Sequence, residues 1–128
     1  MTKYKLEIDT DQAKIIDLAL DLYTRIGQGM FEEILWHPRY AFKTNTDNLP
    51  EARIILDRLK KLLTGNDPNV YDGMGQLTDE DHIAYDIHQV TRHRLAWDKN
   101  PEGGNTVNFG TPLKYSDYEL AEMEKIDE

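Results

Sequence analysis

Three stretches of the chain repeat apolar residues at three- and four-residue steps, and two shorter ones alternate apolar with polar. In the first long stretch Ile15, Ile16, Ala19, Leu22, Tyr23, Ile26, Met30 and Ile34 keep helical spacing. Asp9 or Thr10 caps its start, with Gln12 three residues beyond Asp9 as the reciprocal partner of a capping box. The spacing predicts one helix running across Gly27 and Gly29 to about Leu35. It ends at Trp36-His37-Pro38-Arg39-Tyr40, because a residue before proline is pushed out of the helical region. In the second stretch Ala52, Ile55, Leu56, Leu59, Leu62 and Leu63 form a stripe, opened by Asp47 or Asn48 with Pro50 in the first turn and stopped by Gly65. The third runs from Thr78 to Trp97. Thr78 caps it, Asp81 answers three residues on, and Asp79 and Glu80 place negative charge at the positive end of the helix dipole. Ile83, Ile87, Val90 and Leu95 predict its inward side.

Tyr4 to Ile8 and Thr106 to Phe109 alternate as short half-buried strands do, and their simplest use is to pair with each other or across a subunit boundary. Between these elements, Ala41 to Asp47 is a polar surface loop, and Asn66 to Leu77 is turn chemistry with Val70, Tyr71 and Met74 embedded. Ser116 with Glu119 predicts a short capped helix through Leu120 and Met123, frayed at its end. The expected architecture is therefore α+β: one domain over residues 1–128, with three main helices around one core and a small antiparallel sheet.

Composition narrows the chemistry. The 128 residues include no cysteine, which removes disulfides, thiolate nucleophiles and cysteine-bound zinc. The first residues contain no apolar signal core, and no apolar run approaches the roughly 20 residues of a membrane span. The expectation is a soluble, cytoplasmic protein without a membrane partner. A net charge of −9 disfavours direct binding along nucleic-acid phosphates. Much of the excess lies in the acidic segment 115–128, whereas Arg92 and Arg94 stand together on the third helix.

Few motifs carry reactivity. The lone serine, Ser116, sits in a polar tail, and there is no nucleophile elbow or phosphate-binding glycine loop. His82 and Asp86 have a metal-compatible spacing, but His93 lies eleven residues from His82, roughly 16 Å along a helix and too far to share the ion. An ordinary His–Asp hydrogen bond is the simpler use, and no cofactor or metal is expected. Gly27-Gln28-Gly29 inside a helix costs about 1 kcal/mol per glycine relative to alanine, which calls for close helix packing or for a ligand or second chain beside Arg25 and Gln28. Arg53, Arg58, Lys60 and Lys61 lie away from the second stripe, as a solvated face does.

The remaining unusual feature is the other side of the third helix. Tyr85, His88, Gln89 and Arg92, with His93 beside them, put rings, an amide and a guanidinium on one strip. A purine-plus-phosphate ligand uses such groups: rings stack on the base, the amide meets an edge, and arginine forks onto an oxyanion. The same groups also serve when arginines pair with the many acids and the rings edge the core.

Two segments, ALDLYTRIGQGMFEEIL at 19–35 and AYDIHQVTRHRLAWDKNPEGG at 84–104, cover about a third of the chain. They resemble small bacteriophage proteins, and most of all the Thoeris anti-defence proteins of the sponge type. That resemblance implies a homo-oligomeric, non-enzymatic binder that sequesters a cyclic ADP-ribose signal or a cyclic oligonucleotide, in a pocket built from the third helix, the preceding loop and a neighbouring subunit. Its ligand residues do not align position by position with this chain. Asp21, Arg25, Gln28, Tyr71, Tyr85, His88, Gln89, Arg92 and His93 are therefore selected by side-chain chemistry. Two other classes stand beside this one: an acidic protein–protein inhibitor imitating nucleic acid, and a metal-dependent hydrolase using His82 and Asp86.

Overall fold

The computed structural model describes residues 2–37, 40 and 46–126. Four α-helices occur among them: α1 Thr10–Gly27, α2 Glu33–Trp36, α3 Leu49–Thr64 and α4 Asp79–Lys99. Single 3-10 turns lie at Thr46–Asn48, Met74–Gln76 and Val107–Phe109. The capping boxes predicted for the first and third helices form. Asp9 accepts from the Gln12 backbone N–H at 2.8 Å while Gln12 returns a bond to Asp9 N–H at 2.9 Å. Thr78 and Asp81 reciprocate likewise at the head of α4. Gly65 ends α3 as expected.

α1 stops earlier than its apolar spacing implies. Gly29 has φ +82°, outside the right-handed region, so the chain turns there and re-forms as the short α2. Gly27 answers a different need. A β-carbon on it would lie 2.5 Å from Asp81 Oδ1, so the end of α1 abuts the capped start of α4. Of the two explanations for the glycine pair, close packing holds at Gly27, whereas Gly29 serves a turn that neither of them named. Pro38, Arg39 and the predicted loop over 41–45 lie outside the described residues.

The expected antiparallel sheet is absent: no strand occurs among the described residues, and the fold is helical rather than α+β. Tyr4 to Ile8 forms neither strand nor helix, with Tyr4 almost fully exposed. At the second candidate strand the backbone closes on itself, Phe109 N–H donating to Thr106 O and Gly110 N–H to Val107 O. The Phe109 carbonyl then accepts the Trp97 indole N–H at 3.1 Å, and the two rings meet edge to face. Those bonds use the groups a ladder would need. The predicted helix from Ser116 is likewise absent. Its N–H donates to Asp86 Oδ2 at 3.1 Å and its hydroxyl accepts from Tyr118 N–H in a local turn, which pins the tail to α4 instead of starting a helix.

The body of the fold is the pairing of α1 with α4. Gly27 meets Asp81 and Asp17 meets His88, so the two helices run antiparallel. The buried apolar residues are Ala13, Phe31, Leu35, Ala84 and Val90, and between them lie buried Thr24, Asp81, Asp86, His88, Gln89 and Thr91. The predicted orientation of α4 holds only in part, with Ile87 and Leu95 half-buried. Val90 is inward, but Ile83 is exposed while Gln89 is buried and His88 is buried against Asp17 of α1. Thr24 and Thr91 each bond the carbonyl four residues back, so small hydroxyls fit the seam without orphaned donors. No helix among the described residues is long and apolar enough to cross a membrane.

Candidate functional site

The residues selected from the sequence do not gather at one place. The structure distributes them over three.

The first group is the seam between α1 and α4. His88 Nδ1 lies 2.5 Å from Asp17 Oδ1, and its Nε2 lies 3.5 Å from Asp21. Asp21 accepts from Arg25 Nε at 3.0 Å, and Arg25 NH1 donates to Glu33 at 3.1 Å. Burial pulls the Arg25 pKa down, but Asp21 and Glu33 outweigh it and the guanidinium is held above its ordinary value. With both forks occupied by carboxylates, Arg25 is committed to the fold. It borders a small hollow of about 210 Å³ with Leu18, Asp21, Leu22, Glu33 and Trp36, where the acids at least balance the cation. Tyr85 is half-buried and set edge-on to His88 and Tyr115. Burial, and then the neighbouring Tyr115, raises the Tyr85 pKa.

The second group clamps the loop before α4. Gln28 binds both backbone groups of Asp72, donating from Nε2 to its carbonyl and accepting its N–H on the main-chain oxygen. The Tyr71 hydroxyl donates to Glu32 at 2.6 Å, a bond that raises its pKa, and its ring lies 4.0 Å from Lys60 Nζ. Lys60, expected on a solvated face, is instead buried, with Nζ donating to Pro68 O at 2.9 Å. Its charge faces a ring and a carbonyl, both of which favour a cation.

The third group lies at the carboxyl-terminal half of α4. Arg92 NH2 donates to Gln89 Oε1 at 2.8 Å, which satisfies the buried amide oxygen. Arg92 Nε, His93 Nδ1 and Arg94 Nε are buried and have no hydrogen-bond partner among the described residues. Beside His93 and Arg94 opens a hollow of about 530 Å³, lined by these two with Trp97, Asp98, Pro101 and Lys125. Arg94 NH2 bonds Asp98 at 2.6 Å, the His93 and Trp97 rings meet edge-on, and Lys125 comes in from the tail. The result is a concave surface with an indole, an imidazole and two cations around one acid. Such a lining can cover the face of a planar ring and hold an anionic group at its rim.

Only His93 of the sequence-selected residues lines this hollow. Trp97 and Asp98 lie one turn further, at i+4 from His93 and Arg94, so helical spacing held a usable signal for these two. No local pattern announced Lys125, which arrives from 28 residues beyond Trp97. His82 and Asp86 have separate partners. His82 Nε2 bonds Met74 O, whereas Asp86 accepts the backbone N–H groups of Tyr115 and Ser116 at 2.7 and 3.1 Å. The His–Asp bond expected from their spacing is replaced by these two contacts, and no cluster of three metal-ligating side chains occurs among the described residues. No protein-family model, no curated protein and no solved structure matches this chain.

Proposed function

We propose that this chain is a phage-encoded anti-defence protein that binds and sequesters a nucleotide-derived signal, a cyclic ADP-ribose isomer or cyclic oligonucleotide, without cleaving it. It acts as a homo-oligomer in the host cytoplasm. The observation that carries this reading is the hollow at the end of α4, where the Trp97 and His93 rings line the wall beside Arg94 and Lys125. Two residues of its lining, His93 and Arg94, each carry a buried nitrogen with no partner among the described residues, and donors left unsatisfied by the fold favour an added acceptor. The resemblance at 19–35 and 84–104 supports the ligand class. The overall charge of −9 requires that capture depend on this local positive spot.

The test is to incubate the purified chain with cyclic ADP-ribose isomers, remove free ligand, and release what is bound by heating. The expected result is near-stoichiometric recovery of unaltered ligand. Replacing Arg94 or Lys125 by alanine weakens binding about tenfold to a hundredfold. No capture, or recovery of a chemically changed ligand, counts against the proposal.

A second reading is supported by the exposed acids Asp117, Glu119, Glu122 and Glu124: an inhibitor that imitates nucleic acid. Truncating the tail cannot test it cleanly, because Tyr115 and Ser116 satisfy Asp86. Neutralising those four acids as glutamine or asparagine abolishes activity under the second reading and leaves ligand capture intact under the first.

A further inference from the structure

The segment that follows α4 is anchored at its middle and lightly held beyond it. Tyr115 and Ser116 donate their backbone N–H groups to Asp86 at 2.7 and 3.1 Å, and the Tyr115 ring sits against both His82 and Tyr85. Ser116 and Tyr118 then close a local turn, and Glu119 meets Lys3 in an exposed ion pair. Past Glu119, no hydrogen bond or ion pair joins residues 120–126 to the rest of the described residues, and only Leu120 and Met123 are half-buried. Yet this stretch delivers Lys125, the one cation in 117–126, to the hollow beside Arg94, Trp97 and Asp98. The path has slack. Asp86 and Trp97 are eleven positions apart, roughly 16 Å along a helix, whereas the nine residues from Ser116 to Lys125 reach up to about 30 Å when extended.

We infer that residues 117–126 form a strap, hinged beside the Asp86 latch, that closes over the hollow when an anion occupies it. Arg94 NH2 already bonds Asp98 at 2.6 Å, so Lys125 meets a like charge and an acid that has a partner. The pull of the empty hollow on the strap is therefore weak. An anion between Arg94 and Lys125 has two cationic partners when the strap is down and one when it is lifted. A ligand shifts a conformational equilibrium by its difference in affinity for the two states, so the anion draws the strap shut. A segment with few buried contacts moves at small cost, and the latch need not break because the slack lies beyond it. Once shut, the strap slows the exit of what it covers. Glu122 and Glu124 are exposed and do not line the hollow, so the strap presents its cation there and leaves these acids in water.

This inference rests on the hollow being an anion site, as proposed above, but not on the anion being a nucleotide. The chain has no cysteine, so Ile126→Cys gives a single attachment point for a bimane, a fluorophore that indole quenches at contact, and Trp97 stands in the hollow as the quencher. Inorganic pyrophosphate is the probe, because it carries the charge and lacks the base. It is expected to deepen the quenching, whereas sodium chloride at matched ionic strength does not. Lys125→Gln raises the pyrophosphate concentration at the midpoint about tenfold, as loss of one charge-assisted bond does. Lys99→Gln, at an exposed position on the last turn of α4, leaves the midpoint where it was. Emission that ignores pyrophosphate, or a response that survives Lys125→Gln unchanged, overturns the strap. Capture of cyclic ADP-ribose isomers is measured separately: capture with an unresponsive strap sinks only this inference, and a pyrophosphate response without capture sinks only the nucleotide reading.

Discussion

The seam between α1 and α4 and the outer face of α3 use opposite materials for opposite purposes. The seam buries His88, Gln89, Thr24 and Asp81 between small apolar residues, whereas α3 leaves five large aliphatic side chains in water and buries Lys60. Burying polar groups costs free energy unless each finds a partner, and here His88 has Asp17, Gln89 has Arg92, and Asp81 has the Thr78 cap. Of these bonds His88–Asp17 crosses from one helix to the other, so it is the one lost if the helices slide. Exposed aliphatics behave in the reverse way: they add little to the isolated fold and much to an assembly. A polar interior can therefore fix a register, and an apolar exterior can recruit a neighbour.

The sharpest way to break this contrast is His88→Ala, which leaves half-buried Asp17 without its donor and opens a cavity in the seam. The expected loss is about 2 kcal/mol in urea unfolding. Pairing it with Asp17→Ala should cost less than the sum of the two single losses, since the two side chains act on each other. Gly27→Ala comes next. Helix propensity alone would favour alanine by about 1 kcal/mol, but its β-carbon collides with the Asp81 carboxylate and disturbs the cap of α4. A net loss of about 1 kcal/mol is expected, and a stabilised protein would show that the two helix ends are further apart than described.

On α3 the same unfolding measurement should barely move. Leu63→Gln, at an exposed position, is expected to change stability by less than about 0.5 kcal/mol when measured at a concentration low enough to keep the chain monomeric. A larger loss would mean that the face already packs on its own chain. The smallest effect concerns pH. Burial raises the Tyr85 pKa, so the folded state holds that proton more tightly than the unfolded state does. Its contribution is fully present below the ordinary tyrosine pKa of about 10 and is lost as pH rises through the folded value. Tyr85→Phe should therefore flatten part of the alkaline fall in thermal stability.

Local signals were legible where the chemistry was local. Asp9 with Gln12, Thr78 with Asp81, and Gly65 announced helix ends, because a cap needs only residues three or four apart. Alternation at Tyr4 to Ile8 and Thr106 to Phe109 misled, since a strand exists only with a partner and each segment found other uses for its backbone. Spacing across Gly29 misled for a similar reason: apolar periodicity continues through a turn when both sides of the turn pack inward, as Thr24 and Leu35 do. The candidate site was half visible. His93 belonged to the strip chosen from the helix, and Trp97 lay one turn beyond it, but His88 and Gln89 on the same strip were drawn into the seam.

The amino-acid sequence by itself determined where the long helices begin, that α3 carries a continuous apolar stripe, and that cysteine chemistry is excluded. These depend on neighbours within one or two turns of helix, or on composition. Tertiary structure alone decided which side of α4 faces inward. It also decided that the tail ties back to Asp86 and that Lys125 reaches the hollow beside Trp97. Those outcomes rest on residues tens of positions apart. A polar group can face either water or a buried partner, and only the partner's arrival sets which of the two has the lower free energy.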